Sequence, residues 1–236
     1  MEIAKVQGYT PISREDKIKI YTRANATNPT TGFNPFQQID DFDAKVYKDS
    51  FEKSLEDKKE EIYDYLNHTK IMSDGHIAPV IEHIKALFQD DSKEYWQGEI
   101  MHHSKYADII KKEGFDFSKI KNTVFGPAIY FATSEDELGM YEGDTVHADF
   151  QGNIAYGKYL DNYNRVNTAI ENSIRSRLGV ANNFGMTTMA EHEVLHKFID
   201  EYVRKQIVNV LGIDGAYNQE GQYFAVFNPD SLSNVH

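Results

Sequence analysis

Two groups of residues in this sequence have types and spacings suited to chemistry. The first lies in Ala190-Glu191-His192-Glu193-Val194-Leu195-His196, where two histidines stand four apart with Glu193 beside the first. On a helix that spacing puts both imidazoles on one face, as a zinc pair requires, with a carboxylate near enough to act as general base. A zinc peptidase also needs a third ligand, and no glutamate-bearing helix follows the motif; Glu220 comes after a helix stop, in a Gly-rich turn. The two histidines share their side of the helix with the apolar stripe of Leu195, Phe198, Ile199, Tyr202 and Val203, which is how histidines at a core edge are placed. The expectation is a structural helix without a metal, with a zinc metallopeptidase as a rival.

The second group is spread over three segments. In the first, a short apolar strand delivers Met101-His102-His103-Ser104, and a helix follows that ends in Glu113-Gly114-Phe115. In the second, Phe125-Gly126-Pro127-Ala128 leads into Ile129-Tyr130-Phe131, with Tyr141 eleven residues after Tyr130. The third runs from Gly212-Ile213-Asp214-Gly215 through a polar loop holding Glu220 and Gln222 to Tyr223-Phe224-Ala225-Val226-Phe227-Asn228-Pro229.

In order and approximate spacing these segments resemble the motifs of the ADP-ribosyltransferase superfamily, in its His-Tyr-Glu branch of diphtheria toxin and the poly(ADP-ribose) polymerases. The resemblance covers about residues 94 to 236 and implies NAD as the substrate cofactor. A nicotinamide ring is flat and cationic and binds well between aromatic faces, for which Tyr130 and Tyr141 are the candidates. By the same resemblance His102 orients the cofactor through a ribose hydroxyl, and Ser104 adds a polar contact at the same turn. The backbone at His103, Gly126 and Ala128 approaches the ligand, and Phe131 and Tyr223 complete the lining. His103 and Ala128 stand where the family carries glycine. Cleavage of the nicotinamide–ribose bond develops positive charge that a carboxylate stabilises. Depending on alignment, Gln222 or Tyr223 occupies the family's glutamate position, and Glu220 is the nearest acid. The catalytic set expected from this is Glu220, Gln222, His102 and Tyr130.

The elements that must carry these residues are legible in part. Phe42, Val46, Phe51, Leu55, Ile62 and Leu66 recur at helical spacing between Asp41 and Asn67, and a second helix is predicted over Ile77 to Phe88. Thr188 and Glu191 read as a capping box for a helix that runs to Gly212. Strand-like runs appear at Ala128 to Ala132, Thr145 to Phe150 and Tyr223 to Phe227. The predicted organisation is a mainly helical region over 1–93 followed by an NAD-binding domain over 94–236. The predicted class is α+β, with an ADP-ribosyltransferase-like split β-sheet core.

The 236 residues suffice for a substantial core, and the absence of cysteine excludes disulfides and thiolate metal sites. No run of about 18 apolar residues is present, and the first ten residues lack an apolar signal core, so the expectation is a cytoplasmic protein without a membrane partner. The net charge of −12 disfavours a broad nucleic-acid-binding face. A local basic run remains at Lys105, Lys111, Lys112, Lys119 and Lys121, diluted by Asp108, Glu113 and Asp116. The function expected is a toxin- or effector-like mono-ADP-ribosyltransferase acting on a protein or nucleic acid. Its helical N-terminal region is a candidate surface for an inhibitory partner protein. An ADP-ribosyltransferase-fold module that binds without transfer is the second rival.

Overall fold

The computed structural model describes residues 41–88, 93–120, 126–138, 143–157, 163–178, 186–218 and 223–236. They form an α+β protein whose contacts divide into two units, one of residues 1–64 with 171–198 and the other of 65–170 with 199–236.

The described residues of the first unit are helical. The segment expected as one helix is two, α1 at Asp41–Asp57 and α2 at Lys59–His68, interrupted at Lys58. Phe51, Leu55 and Ile62 stay buried across the break because Leu55 and Ile62 are seven apart, two helical turns, so the apolar face is kept. Against them belong parts of α5 (Tyr163–Leu178) and α6 (Met186–Lys205). Tyr63 meets Phe198 edge to face with ring centroids 5.2 Å apart. The sequence pattern did not show α5, because Asn167, Glu171 and Arg175 alternate with Val166, Ile170 and Ile174 on its buried face. The predicted capping box is also corrected. Helix α6 starts at Met186, which puts Thr188 inside its first turn, and Glu191 is buried against an arginine instead of capping.

The second unit opens with a hairpin, β1 (Lys70–Ser73) and β2 (His76–Pro79), joined by Asp74-Gly75. Both turn residues have positive φ, 50° and 77°, as a two-residue turn matched to strand twist requires. The helix expected from Ile77 is therefore shorter. Ile77 to Pro79 lie in β2, and α3 covers only Val80–Lys85, starting directly after a proline fixed at φ −54°.

The remaining strands form one curled sheet. They are β3 (Glu94–Ser104), β4 (Ile129–Phe131), β5 (Asp144–Tyr156), β6 (Gly215–Asn218), β7 (Tyr223–Val226) and β8 (Leu232–Ser233), with helix α4 (Ala107–Glu113) after β3. The order is β3-β5-β6-β7-β4, with β8 paired to β5. β3 and β5 are antiparallel over their whole shared length, β5 and β6 are parallel, and β7 is antiparallel to both β6 and β4. Beyond β4, Met101 and Ala132 exchange two backbone hydrogen bonds of 2.9 and 2.8 Å, which bring the two ends of the strand order together. Alternation along β3 and β5 turns Ile100, Ala148, Phe150 and Ile154 to the core, where they pack with Phe117, Phe131, Phe224 and Val226. β5 runs well past Phe150, since the polar Gln151 and Asn153 take the exposed side while Gly152 and Ile154 take the buried one. Trp96 lies over Gly98, where a Cβ would come within 2.8 Å of the indole. Among the described residues no helix is long and apolar enough to cross a membrane.

Candidate functional site

Three strands bring the three motif segments together. His102 is paired in register with Val146 on the same side as Ile100, so strand alternation sends its ring inward. There it meets Phe115 and Phe131 at centroid distances of 5.5 and 5.6 Å. Its Nδ1 is 2.8 Å from the carbonyl oxygen of Tyr130. A carbonyl only accepts, so Nδ1 must carry the proton and donate. Burial lowers the His102 pKa, helped by neighbouring His103 and opposed by that hydrogen bond. The imidazole is therefore neutral at pH 7, with Nδ1–H committed to the backbone and Nε2 left as an acceptor. No hydrogen bond from the described residues engages Nε2.

Tyr130 and Tyr223 make the second part. β4 and β7 pair Tyr130 with Ala225, and Tyr223 lies two residues away on the same face. Their rings meet edge to face at 5.3 Å, both half-buried. The Tyr130 hydroxyl donates to the carbonyl of Gly126 at 2.8 Å, which fixes the ring over the turn that precedes its strand. Adjacent residues of a strand face opposite ways, so Tyr130 sits with Tyr223 on one face of β4 while Phe131 and the His102 ring sit on the other. The structure thus joins the three segments through backbone and ring contacts and does not stack His102 on Tyr130.

His103 turns away from His102 and bonds Thr145, Nε2 to Oγ1 at 2.9 Å, so its bulk, at a position where the resemblance expected glycine, does not crowd the His102 face. Ser104 Oγ accepts from the Tyr106 backbone N–H at 3.1 Å and so shapes the strand-to-helix turn. Gly143 is required beside it. Its φ is +132°, and a Cβ there would come within 2.4 Å of the Ser104 backbone. Gly126 and Ala128 are buried under the second motif, and Gly126 has φ +119°. Tyr141, Glu220 and Gln222 lie outside the described residues.

Asp214 and Asn228 form a structural knot that sequence reasoning left without a role. The Asp214 carboxylate accepts the Asn153 N–H at 2.8 Å and the Asn228 side-chain amide at 2.7 Å. Its backbone carbonyl accepts from Phe227 and Asn228. One aspartate therefore ties β5 to the segments flanking β6 and β7. Gly152 fits closely under it, and a Cβ there would come within 2.7 Å of the Asp214 side chain, so no larger residue has room.

The histidine pair of α6 has a partner that precedes it in the chain. Glu171 on α5 is buried, and its Oε2 is 2.7 Å from His192 Nδ1 and 3.7 Å from His196 Nε2. The other oxygen, Oε1, accepts from Arg175 Nε at 2.7 Å, and Arg175 Nη1 donates to Glu191 Oε2 at 2.9 Å. Burial lowers the His196 pKa, and His192 adds to that against an opposing pull from Glu171. Glu193, the acid between the histidines, forms an exposed ion pair with Lys48 at 2.6 Å. The signal that could have found Glu171 is the run Glu171 and Arg175 at helical spacing among isoleucines, which only makes sense if both charges are buried and paired.

No protein-family model, curated protein or solved structure matches the chain.

Proposed function

We propose that the chain is an NAD-dependent mono-ADP-ribosyltransferase, transferring ADP-ribose to a macromolecular acceptor with release of nicotinamide. The observation that carries this reading is the state of His102. It is a neutral imidazole whose Nδ1–H is held by the Tyr130 carbonyl, so its Nε2 can accept from a hydroxyl, the contact a ribose would offer. The same bond links the first motif to the second, and the Tyr130–Tyr223 contact links the second to the third. An ADP-ribosyltransferase-like sheet is the fold this reading requires, and the convergence of three motif strands supports it.

In this mechanism Tyr130 presents an aromatic face to the nicotinamide on one side of β4, and the His102 acceptor sets the ribose on the other. A carboxylate stabilises the oxocarbenium charge as the glycosidic bond lengthens. Glutamine cannot offset that charge, which assigns the role to Glu220, in the sequence between β6 and β7, instead of Gln222. The acceptor nucleophile attacks the anomeric carbon, nicotinamide departs with the bonding pair, and the acceptor loses a proton. The protein acts in the cytoplasm as a toxin- or effector-like modifier. Labelled NAD incubated with a cell lysate, with and without nuclease, tests it. Label on protein or on nucleic acid is expected. Absence of both transfer and NAD hydrolysis, with NAD still bound, would leave the fold as a binding module.

A further inference from the structure

The cluster on α5 and α6 has the composition and spacing of a metal site. Glu171, His192 and His196 each offer one donor atom, and these atoms lie within 4.8 Å of one another. A tetrahedral zinc ion with bonds of about 2.0–2.2 Å holds its ligand atoms about 3.4 Å apart. The observed separations of 2.7 and 3.7 Å from Glu171 Oε2 bracket that value. The proton shared between His192 and Glu171 satisfies only that pair. His196 Nε2 is cut off from solvent and has no hydrogen-bond partner among the described residues. An ion between the three groups bonds all of them at once.

Buried residues hold the carboxylate in place for such an ion. Arg175, 3% exposed, grips Glu171 Oε1 and is itself held by Glu191, so Oε2 faces the imidazoles in a fixed orientation. An outer partner of this kind is what metal-binding carboxylates commonly have. The His192 side chain is 54% exposed, which leaves a path for the ion and room for a water to complete its shell.

We infer that Glu171, His192 and His196 bind a single divalent transition-metal ion of the zinc class, which staples α5 to α6 within the unit of residues 1–64 and 171–198. Two imidazoles and one carboxylate suit zinc or cobalt, whereas calcium and magnesium call for six or more oxygen donors or octahedral oxygen geometry. The role is structural. Glu193, the acid a peptidase would need over the ion, is drawn outward onto Lys48. The site uses none of the residues assigned to NAD.

Full-length protein stripped of metal, then titrated with Zn2+ by calorimetry and with Co2+ by visible absorption, tests the inference. One ion per chain is expected, with a cobalt spectrum of tetrahedral intensity and a melting temperature that rises with zinc concentration. His192→Ala should abolish the zinc-dependent rise and weaken binding by more than the tenfold to hundredfold usual for loss of an outer partner. It also removes the bond to buried Glu171, so the metal-free melting temperature should fall somewhat, and the zinc-dependent rise is read against each variant's own metal-free value. His196→Gln, which keeps volume and polarity, gives a second comparison should the alanine variant fold poorly. No saturable binding, or binding that both variants leave intact, would overturn the site. Zinc-dependent cleavage of a protein substrate that is lost in Glu193→Gln would overturn the structural role.

Discussion

The strand cluster around His102 and the helix cluster around His192 both depend on a histidine bonded through Nδ1, and they differ in what accepts the proton. For His102 the acceptor is a backbone carbonyl, fixed in place by the sheet. For His192 it is the carboxylate of Glu171, a group that can change partners. The first arrangement fixes a tautomer and leaves Nε2 free to read a hydroxyl. The second gathers three donors that an ion can share. The residue type is the same, and a segment distant in sequence decides its use.

The comparison can be broken first at Arg175. Arg175→Ala removes the guanidinium that Glu171 and Glu191, both buried, share, and removal of one member of a buried charge cluster costs about 3–5 kcal/mol. Urea denaturation should show a loss of that size. A change under about 1 kcal/mol would mean that the cluster is already open to water. On the strand side the largest effect is expected in rate. Glu220→Gln should slow NAD hydrolysis and transfer by roughly a hundredfold to a thousandfold, about 2.7–4 kcal/mol, while NAD binding persists. Full activity in that variant, with Gln222→Ala inactive, would move the role to Gln222.

Smaller effects sharpen the contrast. Tyr130→Ala should remove the rise in melting temperature given by NAD, whereas Tyr130→Phe should keep the ring and cost only about 0.5–1.5 kcal/mol of stability through its lost bond to Gly126. An NAD-dependent shift that survives Tyr130→Ala would exclude this ring from the site. Chelation separates the clusters directly. EDTA should lower the melting temperature of zinc-loaded protein and leave NAD hydrolysis unchanged at a temperature where both forms are folded. Loss of hydrolysis there would join the two functions.

The pH response is the mildest test. The folded-state pKa of His102 lies below its ordinary 6.5 because burial opposes the charged ring. Above pH 6.5 both folded and unfolded chains carry it neutral, and it contributes nothing to pH dependence. Between 6.5 and the lowered value the unfolded chain takes up a proton that the folded chain resists, so stability declines as pH falls. The acid limb of kcat/KM for NAD hydrolysis should have its midpoint below 6.5. A midpoint at or above 6.5 would mean that His102 does not control it.

Much of the strand arrangement around His102 was legible because its parts are local. Tyr130 and Phe131 sit in a short β-prone run, and Tyr223 opens another, so composition alone marks both strands. That His102 faces inward follows from alternation once Ile100 is known to be buried. What alternation does not give is the bond across to Tyr130, which needs the curl of the sheet. Helix α5 escaped notice because Asn167, Glu171 and Arg175 interrupt its apolar periodicity, and with it went the third member of the histidine cluster. The early break at Lys58 and the short α3 are local events of one residue each, at a turn and a proline, which a pattern averaged over several turns smooths away.

The parallel pairing of β5 with β6 has a consequence for the order in which the molecule assembles. Ile154 and Gly215 are neighbours in the sheet although the whole of α5 and α6 lies between them in the chain. Antiparallel β3 and β5 are both synthesised before that crossover begins. β6 and β7 can join only after the helices have formed enough to return the chain, and the entropy of closing so long a loop is lost before any strand contact repays it. The strand that begins at Tyr223 is thus among the last to reach the sheet, and refolding should show His102 sheltered by Phe115 before Tyr130 finds Tyr223.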